Sequence, residues 1–370
     1  MLQRSGVIPV AANTRRELAR EREVGSSGTS SGKPTGAEGV PWLQPPAWVP
    51  PYAGLLNNLP ALLRLRATPE RWVTVFPLFL RDNRTGTPED VKLLRIALNT
   101  IYSYQVYGKS EHYVVAAMTP AALQDCRRLR LPCYNATHYP ATRTIIDIYW
   151  ARLLVLRDVL TEGYHVHLSD LDIAYLRPAF GWSANASDGS MMREEALHKN
   201  GTVRFMVNGG CKFLLANERV VAFLDSLMPH KARGVKTQIA MGAQAYRTWA
   251  PCCTLASCTA AKAAGLAAIT PHPNQFGTQH CAPGPGFRPC SPDLSSLYVH
   301  AICLHKETDK EAMLAGLDVM FLRRDIGGGL TGAQALRDPA VLGRPDPEAI
   351  RRSGLPCATG AWHGKQAACV

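Results

Sequence analysis

A chain of 370 residues can bury one large core or two smaller ones, and 46% hydrophobic against 19% charged residues is a globular composition that excludes wholesale disorder. No stretch approaches the roughly 18 uncharged apolar residues of a membrane span, and Arg4, Arg15, Arg16 and Glu17 break the N-terminus, so it does not read as a signal peptide. The excess of 41 basic over 29 acidic residues, net +12, favours anionic partners. The basic residues are scattered in short groups such as Arg127-Arg128, with no long basic block or zinc-finger spacing to support nucleic acid; a nucleotide or phosphorylated donor fits the charge as well.

In chain order, Gly25 to Gly39 lacks apolar periodicity and reads as linker, and Pro41 to Pro51 is too proline-rich for a helix or central strand. Residues 1–65 are accordingly expected to be a disordered, Pro-rich N-terminal segment. Trp72 to Phe76 is a β-branched and aromatic run, a buried strand. Pro88 to Ser103 follows with apolar residues at helical spacing (Val91, Leu94, Leu98, Ile101) and acids Glu89 and Asp90 in its first turn. His112 to Ala117 is a second strand, and Thr119-Pro120 is an N-cap and first-turn pair opening a helix to Arg130. A helix from Ile145 to Glu162 stops at Gly163 and leads into a strand over His165–Ser169. Strands alternating with helices at this spacing predict an α/β fold with a mostly parallel sheet flanked by helices. Further on come a strand through Val207 and Leu214, a helix from Glu218 to Leu227 and a last strand at Leu297–Val299. The domain is expected over 66–330, with 331–370 an irregular C-terminal tail.

There are eleven cysteines and four Asn-x-Ser/Thr triplets, at Asn83, Asn135, Asn185 and Asn200. Together they point to an oxidising, secretory-pathway lumen, and the odd count leaves at least one thiol unpaired if disulfides form within the chain. Cys252, Cys253, Cys258, Cys281 and Cys290, with His272 and His280, do not have the spacing of a known zinc finger, so disulfides or buried thiols are the preferred reading. His165 and His167 share a strand face, and packing is preferred there over a metal.

The informative segment is Gly163 to Pro178. A strand runs into Asp170-Leu171-Asp172, then a short apolar run. Ligands of open α/β sheets bind beyond the carboxyl ends of strands, where these carboxylates fall. Two such oxygen donors suit a hard divalent ion shared with a diphosphate, Mn²⁺ or Mg²⁺, and would repel without a cation between them.

This stretch resembles the Asp-x-Asp region of the nucleotide-diphospho-sugar transferases of plants and algae, a family that includes xylosyl-, arabinosyl- and galactosyltransferases. Ser169 to Pro178 is similar to its Ser/Thr-Asp-x-Asp pattern, although the proline comes one residue early. Asn208-Gly209-Gly210 looks like its Asn-x-Gly strand, and Val299-His300-Ala301 with Lys310 resembles its closing motif. The resemblance implies a GT-A-like, Rossmann-like fold, a metal-dependent nucleotide-sugar donor (UDP-linked pentose or hexose), a glycan or glycoprotein acceptor and transfer with retention. It implies that Asp170, Asp172 and His300 hold the metal. Arg152, Asn208, Gly209, Lys306 and Lys310 would join the two aspartates around the donor, with Gln238 and Asp172 at the reacting carbon. It also implies Golgi residence; membrane association is expected only through an anchor this chain does not show. The sequence departs from the family's pattern at Thr237, Ile302 and Lys306, where Asp, Asn and Gly are expected. The alternatives are a degenerate transferase that binds nucleotide sugar or glycan without turnover, and an aspartate-nucleophile phosphatase suggested by Asp170–Ala174.

Overall fold

A computed structural model describes residues 55–139, 144–178, 187–197, 203–273, 298–301, 304, 306–326, 329–355, 361–362 and 365–366. The linker readings at residues 25–39 and 41–51, Asn185, Asn200, Cys281 and Cys290 lie outside the described residues. All described residues belong to one compact unit, 38–370. Among them, no helix is long and apolar enough to cross a membrane.

The chain starts with α1 (Leu59–Arg66), β1 (Trp72–Leu78), α2 (Pro88–Val106), β2 (Tyr113–Ala117), α3 (Pro120–Arg128), β3 (Cys133–Asn135), α4 (Ile145–Thr161) and β4 (His165–Ser169). Local sequence sets the ends of these helices. Thr87 and Thr144 each accept a hydrogen bond from the backbone of Asp90 and Asp147, whose carboxylates accept one in return, which closes a capping box on α2 and α4. Thr119 caps α3 through the Ala122 N–H, as its sequence predicts. Gly163 follows α4 at φ +76°, a conformation that glycine adopts without a Cβ penalty. The α3 helix ends two residues short of the expected Arg130, which sits at φ +54°.

After β4 come β5 (Ile173–Tyr175), β6 (Gly189–Leu197), β7 (Val203–Leu214), α5 (Glu218–Ala232), α6 (Thr237–Ala243), β8 (Trp249–Pro251), α7 (Leu255–Ala263), β9 (Ala267–Pro273) and β10 (Tyr298–His300). The main sheet has eight described strands in the order β3-β2-β1-β4-β7-β6-β9-β8. Five of its seven neighbouring pairs are parallel, and β7 runs antiparallel to β4 and β6 on either side of it. The expected mostly parallel α/β sheet is therefore present. Alternate strand residues face two separate cores. Val73, Val75, Val166 and Leu168 join α1, α4, α5 and α6, while Phe76, Tyr113, Val115 and Phe213 join α2 and the C-terminal elements. Burial on both faces explains why β1 and β2 read as continuous apolar runs.

Two expected boundaries are corrected. The N-terminal segment was expected to reach residue 65, but α1 lies within it, capped by Asn58, with Leu59, Leu62 and Leu63 buried against β1 and β2. Likewise, the region beyond 330, read as an irregular tail, holds α9 (Gly332–Arg337), a 3₁₀ turn (Pro339–Gly343) and α10 (Pro347–Arg352), after α8 (Glu307–Gly316). Its Gly, Ala and Pro content hid a sparse apolar stripe: Leu336, Val341, Leu342 and Ile350 pack into the core under α2. The last expected strand, near Leu297, is β10, but among the described residues it pairs with β5, outside the main sheet.

Among the described residues, two disulfides join neighbouring elements, Cys126–Cys133 between α3 and β3 and Cys252–Cys258 at α7, and Cys211 is a buried free thiol. Cys252 and Cys258 are therefore spent on each other rather than on zinc.

Leu342 is 1% exposed in this core. Leu342→Ala is expected to cost about 2–5 kcal/mol by urea denaturation; a loss below about 0.5 kcal/mol would return the segment to the status of a tail.

Candidate active site

β4 ends at Ser169, so Asp170 and Asp172 fall beyond the carboxyl end of the central parallel strands. Because β7 pairs antiparallel with β4, Ser169 opposite Cys211, the Asn208-Gly209-Gly210 stretch of β7 arrives beside them. The Asp170 N–H donates to the Gly210 carbonyl at 2.7 Å, and the Gly210 N–H donates to Asn208 Oδ1 at 2.6 Å. The antiparallel β5–β10 ladder supplies the third ligand. His300 stands opposite Ile173, one residue past Asp172, and the Ala301 N–H donates to the Asp172 carbonyl.

Ligand atoms of Asp170, Asp172 and His300 thus lie within 4.8 Å of one another. His300 is buried, its Nε2 2.9 Å from Asp172 Oδ1 and 3.9 Å from Asp170 Oδ2, while its Nδ1 has no partner. A Cβ on Gly210 would sit 2.3 Å from His300 Cε1 and 2.9 Å from Asp170 Oδ2, so glycine keeps this space open. Two carboxylates and one imidazole around a cleared space fit a divalent ion such as Mn²⁺ or Mg²⁺.

Cations balance the two acids. Arg152, on α4, forms an ion pair with Asp170 and donates to the Gly209 carbonyl at 2.8 Å. Lys310, on α8, lies 3.2 Å from Asp172 Oδ2 and 3.4 Å from Glu307 Oε1. Burial pushes the Asp172 carboxyl up, but His300 and Lys310 together outweigh it and hold the group well below the ordinary carboxylate range. Burial alone would lower the Lys310 pKa; Asp172 and Glu307 outweigh it and raise it, which favours the ammonium. Glu307 moves up because burial outweighs Lys310.

A hydrogen-bonded layer under the site holds β4 in place. His167, fully buried and stacked on Phe213 with ring centroids 4.0 Å apart, meets Thr74 through Nδ1 and Tyr175 through Nε2. Tyr175 donates to Ser169 Oγ at 2.7 Å, and that hydroxyl donates to the Asp170 carbonyl. His167 is thus a packing residue, as its pattern suggested, and His165 accepts the Ala216 N–H at the other end of the strand.

Above that layer, Asp170, Asp172, His300, Arg152 and Lys310 line a cavity of about 600 Å³ that extends past Pro77, Leu78 and Phe79 at the end of β1, Tyr149 on α4, and Thr237 and Gln238 at the start of α6. The Trp150 indole N–H donates to the Val235 carbonyl and ties the turn before Gln238 to α4. Of the residues singled out from sequence, Asp170, Asp172, His300, Arg152, Asn208, Gly209, Gln238 and Lys310 all line this cavity. Lys306 does not: it is exposed at the N-cap of α8, one turn before Lys310, where its side chain makes no capping bond. Sequence reasoning passed over Lys212. It is 2% exposed, lines the cavity and donates to the Gly209 carbonyl, and burial together with Arg152 pushes its ammonium down to about 7. A lysine inside the otherwise apolar run Cys211 to Leu215 was the available signal.

The Gly210 contacts make a direct test possible. Gly210→Ala is expected to remove Mn²⁺ binding, read by electron paramagnetic resonance, while far-UV circular dichroism stays native. Unchanged Mn²⁺ affinity would refute the assignment of this cluster as the metal site.

A family model described as nucleotide-diphospho-sugar transferase matches residues 108–314, more than half of the chain and every cavity wall from α4 to α8. No curated protein matches the sequence. The chain belongs to the nucleotide-diphospho-sugar transferase family, and its α/β sheet is GT-A-like.

Proposed function

Taking this glycosyltransferase membership as the premise, we propose that the chain moves a pentose or hexose from a UDP-linked donor to a hydroxyl of a glycan or glycoprotein, with retention, using Mn²⁺ or Mg²⁺. The observation that carries this reading is the convergence of Asp170, Asp172 and His300 at one end of the cavity. When bound, the ion would neutralise charge on the departing nucleotide diphosphate. Arg152 and Lys310, each already beside one of the two aspartates, supply further positive charge to the diphosphate oxygens. Asn208 and Gly209, next to the metal cluster, and Gln238 on α6 face the sugar, and Gln238 steadies the positive charge that develops at its anomeric carbon.

The carboxylates available support a front-face route. Among the described cavity residues these are Asp170, Asp172 and Glu307. The first two are assigned to the metal and Glu307 is engaged with Lys310, so none of these three described carboxylates is left as a nucleophile for double displacement. On the front face, the bond from the anomeric carbon to the diphosphate oxygen breaks as the acceptor oxygen bonds to the same face. The acceptor's proton passes to the leaving oxygen. The disulfides support residence in an oxidising lumen such as the Golgi.

The first experiment is Mn²⁺-dependent binding and hydrolysis of UDP-xylose, UDP-arabinose, UDP-galactose and UDP-glucose by wild type and by Asp170→Ala/Asp172→Ala. One donor should be hydrolysed, with a loss of about 100-fold or more in the double variant and on chelation of the metal. Failure of every donor to bind would sink the reading. In the transfer reaction, proton NMR is expected to show an anomeric configuration retained from the donor; inversion would exclude the front-face route.

A further inference from the structure

Lys212 is a buried cation that the proposed mechanism does not use. It lies on β7 opposite Leu168 and Met191, both buried, so its aliphatic stem lies in the apolar layer between the sheet and α4 and α6 while its ammonium reaches the cavity. An ammonium has three donors. One goes to the Gly209 carbonyl; among the described residues no carboxylate lies within ion-pair distance, and Asp170, whose charge favours the ammonium from farther off, is already paired with Arg152. Two other cations of the cavity differ: buried Arg152 has Asp170, and half-buried Lys310 has Asp172 and Glu307. Burying a lysine without a counter-charge is costly unless a ligand provides one.

The position of Lys212 narrows the ligand. The metal cluster and Lys310 mark the place of the diphosphate. Lys212 shares the Gly209 carbonyl with Arg152, next to that place, and lies on the strand that carries Asn208 and Gly209, which packs against α6 with Thr237 and Gln238. That wall is where the reading above, on which this inference rests, puts the transferred sugar. We propose that Lys212 is a specificity-determining residue that pairs with the carboxylate of an acidic sugar, so that the preferred donor is a nucleoside diphosphate uronic acid. Burial and the neighbouring Arg152 lower the charge on the empty lysine, and an incoming carboxylate restores it. The hydrogen bond to Gly209 keeps the ammonium in place for a charge-assisted contact.

The test uses the full chain with Mn²⁺ and donor pairs that differ only at C6: UDP-glucuronate against UDP-glucose, and UDP-galacturonate against UDP-galactose, with UDP as reference, by titration calorimetry. In at least one pair the acidic donor is expected to bind about tenfold or more tightly than the neutral one. Lys212→Met should bring that ratio to about one, and Lys212→Arg should keep most of it. Neutral donors binding as well as acidic ones, with UDP bound in a Mn²⁺-dependent manner, would overturn the proposal and leave Lys212 as a brace for Gly209; the transferase reading would survive. If UDP and every donor fail to bind, both fall together. Should Lys212→Met not fold, Lys212→Gln and the wild-type ratio still decide.

Discussion

Two carboxylates one residue apart repel each other, and the site is organised around cancelling that repulsion. Asp170 is held by Arg152 from α4, and Asp172 by His300 from β10 and Lys310 from α8. These partners come from three elements that approach the end of β4 from different directions. A divalent ion placed between the acids would take over the same task. The basic residues already in place would then be free to meet a diphosphate, so one set of charges serves the empty and the loaded cavity. Lys212 feels both Arg152 and Asp170 but has no carboxylate of its own at ion-pair distance among the described residues.

Support for this arrangement comes from below. The β4 strand is locked through Thr74, His167, Tyr175 and Ser169, a buried chain of hydrogen bonds that ends on the Asp170 carbonyl. Buried polar groups are stable only when satisfied, and here each is paired to the next. Gly210 acts by absence: any side chain at that position would fill the space between His300 and Asp170. On the far side, Arg95 and Asn99 of α2 bond to Glu311 and to the backbone of Val319 and Phe321, which fastens α8, and Lys310 with it, to the first core.

The helices were legible because their signals are local. Thr119-Pro120, Thr87 with Asp90, and Gly163 act within one turn of their own position, and the strand over His165–Ser169, with alternating Val166 and Leu168, follows directly on the Gly163 stop. The C-terminal helices were missed because each is six residues long and carries only a few apolar side chains, too few for a period to show. Leu59 to Arg66 was obscured by the proline-rich sequence before it. Lys306 was misplaced for a geometric reason: four residues from Lys310, it precedes the first turn of α8 instead of sharing its face.

The sequence by itself determined the α/β alternation, the Asp-x-Asp pair after a strand and the oxidisable cysteines, since each depends on neighbours in the chain. It could not determine which remote side chains complete the site. His300 reaches Asp172 across 128 positions because β10 pairs with β5 in one register, and Arg152 reaches Asp170 because α4 packs beside β4. Whether Lys212 is a solvated strand residue or a buried cation likewise depends on what α4 and α6 cover. Pairing, packing and burial are properties of the assembled sheet, and only the tertiary structure supplies them.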